Sequence, residues 1–198
     1  MSMSETRSYP RTMVCNGAAI EFRHMTPADE PAVLDFARRL PVHDLLFLPR
    51  NISEPKVLAA WINEIERGAI ISLLAIKSGV VVGCGTIVRD PHGWSPHVGE
   101  IRMVVATDVR GVGVGRMLTQ ETFALALTAG LERLVAQMTV DQTGAIALFE
   151  SLGFKAEALL LDHVKDKSGE TQDIVVLGHN VAQVRAQLEA YGVPGAVQ

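Results

Sequence analysis

The stretch "VATDVRGVGVGRMLTQ", Val105 to Gln120, places glycine at three alternate positions, Gly111, Gly113 and Gly115, between a β-like run and a helix-like one. Glycine removes the Cβ atoms that would hold a ligand away from the backbone amides. A helix that opens directly afterwards points its unpaired N–H groups, and the positive end of its dipole, back at the loop. Together these make an anion site whose usual guest is phosphate. The spacing narrows the choice of phosphate. A dinucleotide fingerprint G-x-G-x-x-G would need its third glycine where Arg116 stands, and no lysine–hydroxyl pair follows the glycines as a P-loop requires. What remains is Arg110-x-x-Gly113-x-Gly115, set between the end of a strand and the start of a helix.

The segments around the loop give the fold class. "MVCNGAAIEFR" holds two extended runs about Asn16-Gly17, a hairpin signal. "TPADEPAVLDFARRL" predicts a helix to about Leu40, with Thr26 as cap and Pro27 at its first position. Residues 41–55 carry three prolines and no clean period. "SEPKVLAAWINEIERG" puts Leu58, Trp61, Ile62 and Ile65 on one helical face. "AIISLLAI", "VVVGCGTIV" and "VGEIRMVVA" read as three strands, the last running into the glycine loop. A helix is expected from about Gly113 to Ala129, its apolar face of Val114, Met117, Leu118 and Leu125 interrupted by Glu121. "LERLVAQMTV" follows as a strand, "TGAIALFESLGF" as a helix stopped by Gly153, and "AEALLLDHVKD" and "QDIVVLGHNV" as two more strands. A last amphipathic helix would carry Val181, Val184, Leu188 and Tyr191. The order predicts an α/β protein built on a mixed sheet.

Size and composition are consistent with one domain. The chain has 198 residues, 48% hydrophobic and 20% charged. We expect a flexible tail over residues 1–11, the domain proper over 12–180, and a C-terminal helix and tail over 181–198. A net charge of −4 gives no overall argument for nucleic acid or an anionic membrane. Cys15 and Cys84 are too few for a disulfide framework or a four-ligand metal site. The polar start "MSMSETRSYPRT" predicts no signal peptide, and the longest apolar runs are too short to span a bilayer, so a cytoplasmic location is expected.

With "GEIRMVVATDVRGVGVGRML" followed some thirty residues later by "LFESLGF", the chain resembles the GCN5-related N-acetyltransferase (GNAT) family, over about Ile20 to Leu177. The lead-in "CNGAAIEFR" is similar to its bacterial protein-acetylating branch. The resemblance implies a single-domain fold with about seven strands, splayed near Val105 to admit acetyl-coenzyme A. It also implies acetyl transfer to a primary amine, on a protein lysine or a small molecule, by direct attack on the thioester. By the same resemblance, backbone N–H groups of about Val112 to Gly115 cradle the pyrophosphate, within a loop running from Arg110 and Gly111 through Val114 to Arg116. Met103, Val104 and Val105 lie along the pantetheine arm, and the Val105 N–H polarises the thioester carbonyl. Gln142 stands where the family often has asparagine. Phe149 stands where many members have a tyrosine that protonates the departing thiolate; it can pack on the pantetheine but has no proton to give. That departure keeps a second reading open, a non-catalytic acyl-coenzyme A sensor.

Glu100 takes the place of a catalytic glutamate in several relatives and would accept the proton of the attacking ammonium; the alternative is a strand-edge glutamate paired with Arg102. Strand alternation puts Glu100 on one face with Arg102 and Val104, unless a bulge shifts the parity. Residues 41–55 are expected to wall the acceptor channel, with Arg110 touching phosphate or only holding the loop. Asp90, His92 and His97 lack metal-ligand spacing, so no metal is expected. Asp162-His163 reads as a surface pair and Cys84 as a small core residue. A homodimer is a further expectation, as many members of the family pair.

Overall fold

The computed structural model describes residues 7–46, 48, 50–165 and 169–182. Among them run β1 (Arg11–Cys15), β2 (Ala18–His24), α1 (Glu30–Arg39), α2 (Val42–Leu46), α3 (Pro55–Glu66), β3 (Ile70–Lys77), β4 (Val80–Arg89), β5 (Val98–Val105), α4 (Val114–Thr128), β6 (Arg133–Thr139), α5 (Thr143–Ser151), β7 (Lys155–Lys165) and β8 (Thr171–Asn180). The strands form one mixed sheet in the order β1-β2-β3-β4-β5-β6-β8-β7. Every neighbouring pair is antiparallel except β5 and β6.

The sheet has eight strands where about seven were expected, because the N-terminal hairpin adds β1 outside β2. Its turn uses positive φ at Asn16 and Gly17, the two-residue geometry that matches strand twist. Two further differences concern segments without a period. Residues 41–55 contain the single-turn helix α2. Residues 7–11, expected in a loose tail, lie against α4: Arg7, Arg11 and the Tyr9 hydroxyl all donate to the carboxylate of Glu121. Glu121 is 2% exposed, so the interruption in the apolar face of α4 is a buried anion answered by two guanidinium groups. Burial, then the bond to Glu121, pushes the Tyr9 hydroxyl well above the ordinary phenol range. The C-terminal stripe of Val184, Leu188 and Tyr191 lies outside the described residues; Val181 is buried in the core.

The two faces of the sheet are covered differently. α4 lies on the face that Gly83 and Gly85 leave bare. A Cβ on Gly85 would stand 2.2 Å from Thr122 Oγ1, so the missing side chain is what lets helix and strand approach. α1 and α3 cover the opposite face, where Leu58 and Ile62 are buried and the Trp61 indole N–H donates to Ser72 Oγ at 3.0 Å.

α1 is entered through an ionic anchor. The Asp29 carboxylate accepts from the N–H and hydroxyl of Thr26 at 2.8 and 2.9 Å and from both terminal nitrogens of Arg23. The Arg23 bonds, helped by those from Thr26 and opposed by burial, hold its acid down to about 2. A depressed folded-state pKa stabilises the native protein above the unfolded value of about 4, and that contribution is lost as pH falls towards 2. Asp29→Asn is therefore expected to cost about 2 kcal/mol at neutral pH. In denaturant titrations the gap between wild type and variant should close between about pH 4 and pH 2; a gap that stays constant there would remove the ionic account.

Candidate active site

β5 and β6 are joined only from Val98↔Arg133 to Glu100↔Val135. Beyond Glu100 the strands part, β5 running on to Val105 and β6 to Thr139 without pairing with each other. On its other side β5 stays paired with β4 in unbroken register from Gly99 to Val105. The Ala106 N–H donates to Val82 O at 2.9 Å, which continues that register by one residue. Antiparallel pairs alternate between bonded and unbonded, so Val104 bonds Cys84 while the N–H and C=O groups of Met103 and Val105 turn to the open side. The splay expected near Val105 is thus present, with an unpaired strand edge along it.

The glycine loop closes the end of this opening. Gly113 caps α4 at φ +97°, a conformation costly for any residue with a Cβ. The first intrahelical bond runs from Met117 N–H to Gly113 O at 3.0 Å, leaving the N–H groups of Val114, Gly115 and Arg116 free of intrahelical acceptors. A Cβ on Gly115 would face Val105 Cγ2 at 3.7 Å and Leu148 Cδ2 at 3.9 Å, so this glycine looks across the opening from β5 to α5. The Val112 carbonyl is turned inward, accepting the buried Cys15 thiol at 2.9 Å.

Arg110 acts as the loop's fastener. Its guanidinium donates to Val105 O at 3.2 and 2.9 Å and pairs with Asp44 of α2. Arg116 reaches Ser151 Oγ on α5 at 2.9 Å. Gln142 precedes α5 and is partly exposed. Phe149 is 3% exposed with its ring edge-on to Phe154 at 5.0 Å, within the core.

On the α3 side of β4 and β5 lies a cavity of about 340 Å³. Leu48, Arg50 and Ile52 line it, so part of the 41–55 segment does wall a pocket. Val104 and Cys84 bound it beside the splay, and Arg102 and Arg89 bound it further along the strands. Cys84 is fully enclosed, and burial pushes its thiol up to about 12, opposed only by its contact with Thr86, so it is no nucleophile at neutral pH.

Glu100 keeps the parity expected of a regular strand, sharing its face with Arg102 and Val104. Both of its carboxylate oxygens accept from Arg102, at 2.8 and 3.0 Å. Five unbulged strand residues put its Cα roughly 17 Å from that of Val105. A carboxylate so placed has no direct reach to chemistry at Val105. Asp90 is used in its own loop, accepting the His92 N–H, and Asp162 sits in the irregular stretch of β7 between Leu160 and Val164, its backbone N–H donating to the Asp173 carboxylate. Among the described residues no group of three His, Cys, Asp or Glu stands together as a metal site, and no helix is long and apolar enough to cross a membrane. The cavity residue Arg89 and the Glu121 clamp were missed from sequence, whereas Arg50 lies in the segment expected to wall the acceptor channel. The basic and aromatic "RSYPRT" opposite a lone acid on an apolar helix face was the available signal for the clamp.

Residues 37–154, more than half of the chain, match the model of the Acetyltransferase (GNAT) family. The chain belongs to that family. Among curated relatives it is similar to an IAA acetyltransferase of Azospirillum brasilense, 41% identical over 83 residues, which is 41% of this chain and 52% of the relative. It is also similar to a mycothiol acetyltransferase of Arthrobacter sp. (strain FB24), 35% identical over 85 residues, 41% of this chain and 26% of the relative. The chain thus aligns with about half or less of the length of these relatives. A solved acetyltransferase from Salmonella typhimurium with its cofactor acetyl-CoA superposes with a TM-score of 0.70 at 20% identity, covering 82% of this chain and 94% of that one. These matches agree with a GNAT fold read from the splay and the glycine loop.

If Arg110 fastens the loop, Arg110→Ala should destabilise the protein by about 1–3 kcal/mol, the range for hydrogen bonds to charged groups, as the Val105 carbonyl and Asp44 lose their donor. Chemical denaturation checks this, and an unchanged midpoint would show that the fastening carries no weight.

Proposed function

We propose that this GNAT protein is an acetyl-coenzyme A-dependent N-acetyltransferase that delivers an acetyl group to a primary amine entering from the cavity over β4 and β5. The observation that carries the reading is the meeting of two features at Val105, the unpaired edge of β5 and the free N–H groups at the start of α4, with the cavity reaching the neighbouring Val104 on the other face of the strand. The residues fit the cofactor. The N–H groups of Val114, Gly115 and Arg116, with the glycine loop before them, would hold the pyrophosphate. The open edge at Met103 and Val105 would hold the pantetheine as an added strand is held. The cofactor supplies an activated acetyl thioester.

The Val105 carbonyl is occupied by Arg110, which leaves its N–H as the group aimed at the opening and suited to a developing oxyanion. In the transfer a C–N bond forms as the C–S bond breaks. The amine gives up its proton to water in the open cleft, and the sulfur leaves as thiolate, whose parent thiol's ordinary pKa near 8.5 lets it depart without a dedicated acid at Phe149 and take up a proton from solvent afterwards. Glu100 acts through Arg102, holding that guanidinium against the cavity wall.

Two measurements test the reading. Acetyl-coenzyme A should raise the melting temperature by binding the folded state. Gly115→Val, which has no positive φ to strain it, should remain folded and lose that rise, because its side chain stands between Val105 and Leu148. With an amine panel the wild type should release free thiol and add one acetyl mass to the acceptor. Binding without turnover on any amine would favour the acyl-coenzyme A sensor instead, a reading that Phe149 keeps open.

Glu100→Gln separates proton transfer from positioning. We expect the cofactor-induced melting shift to persist, acceptor KM to rise several-fold and the pH–rate profile to keep its shape. A fall of about 10²-fold in kcat with an altered rising limb would instead place Glu100 in a proton relay.

A further inference from the structure

The charges around the cavity are unequal. Three guanidinium groups line it, Arg50, Arg89 and Arg102, against one carboxylate, Glu64. Glu64 is already engaged with Arg67, one turn along α3, at 3.4 Å. The arginines are only partly used. Arg102 spends Nε and Nη2 on Glu100, and Arg89 spends Nε on the Gly68 carbonyl at 2.8 Å. Arg50 is exposed and has no hydrogen-bond or ion-pair partner among the described residues. Apart from Thr86 and Cys84 the rest of the wall is apolar, with Leu48, Ile52, Val57, Trp61 and Val104 contributing. A cavity of this size suits a small molecule, with a few polar groups fixing its orientation.

We propose that the acceptor is an amine that also carries a carboxylate on an apolar body, an amino acid with a large hydrophobic side chain. This rests on the acetyl-transfer reading above and names the substrate class for the same site. Guanidinium forks match a carboxylate in plane and charge. Arg102 spends Nε and Nη2 on Glu100, so an anion would meet its remaining donors on the cavity side, with the amine on the Val104 side and the side chain packed on Trp61 and its aliphatic neighbours. A polyamine would bring added positive charge to a wall with three arginines, and a peptide N-terminus would bring no carboxylate beside its amine.

The test compares L-phenylalanine, L-phenylalaninamide and spermidine, the first two differing at the carboxyl group, with rates compared per unprotonated amine because the amide's amine is the less basic. In steady-state kinetics with acetyl-coenzyme A, phenylalanine should exceed the amide in kcat/KM by about 10-fold to 10²-fold, the effect of one charge-assisted pair. Spermidine should be weaker still. Arg102→Met should erase most of the preference for phenylalanine over its amide by raising KM for phenylalanine. A second arm reads the cavity without turnover: phenylalanine should raise the melting temperature of the wild type more than the amide does, and Arg102→Met should lose that difference while keeping the shift given by acetyl-coenzyme A. Binding of phenylalanine without thiol release would uphold the cavity's selectivity and overturn the transfer reading. Turnover with the amide or spermidine equal to or above that with phenylalanine would uphold transfer and overturn the carboxylate. Should no acceptor turn over and phenylalanine give no shift beyond that of the amide, the proposal fails.

Discussion

The parting of β5 from β6 after Glu100 governs the rest of the molecule. A sheet interior ordinarily pairs every peptide group, and an unpaired one must find water, a side chain or a ligand. Here the pairing stops after three residues, and the strands leave an open edge in the middle of an eight-stranded sheet. Such an edge is tolerable only where it is accessible, which fixes the opening to one end of the sheet. The connection from β5 must then leave that end and turn into α4. Its glycines give a chain path with left-handed positions at Gly111 and Gly113 and bring amides to the rim of the gap. Cleft, loop and helix start are thus consequences of one interrupted ladder.

The surfaces on either side of the gap are stabilised by different means. Under α4 the contact is close because β4 lacks side chains at Gly83 and Gly85. Over α3 it is looser and partly polar: Trp61, Ser72, Thr86 and Cys84 form a chain of contacts, with Ser72 and Thr86 hydroxyls 3.3 Å apart. A buried polar group costs little when its partner is built in, and this network satisfies its members while leaving a cavity beside them. The dense face holds the sheet to α4, and the looser one provides room.

Most of this arrangement was legible in the sequence because it depends on local rules. The hairpin at Asn16-Gly17, the cap at Thr26, the helix after Gly113 and the strand ending at Val105 each follow from residues within a turn or two of one another. The parity of Glu100 followed from strand alternation alone. Its bidentate bond to Arg102 was foreseen as an alternative, but its distance from Val105 depended on whether the strand carried a bulge, which pairing with β4 decides. The poorly read parts are long-range. Glu121 looked like a flaw in an apolar stripe because its partners sit more than a hundred residues earlier. Arg89 lies on β4 and meets the cavity walled by the 41–55 segment only after the sheet has formed.

Arg110 joins parts that would otherwise be independent. One guanidinium holds the carbonyl at the end of β5 and a carboxylate of α2, the short helix that opens the segment contributing Leu48, Arg50 and Ile52 to the cavity. The end of the glycine loop and the segment that walls the cavity are therefore tied to the same side chain.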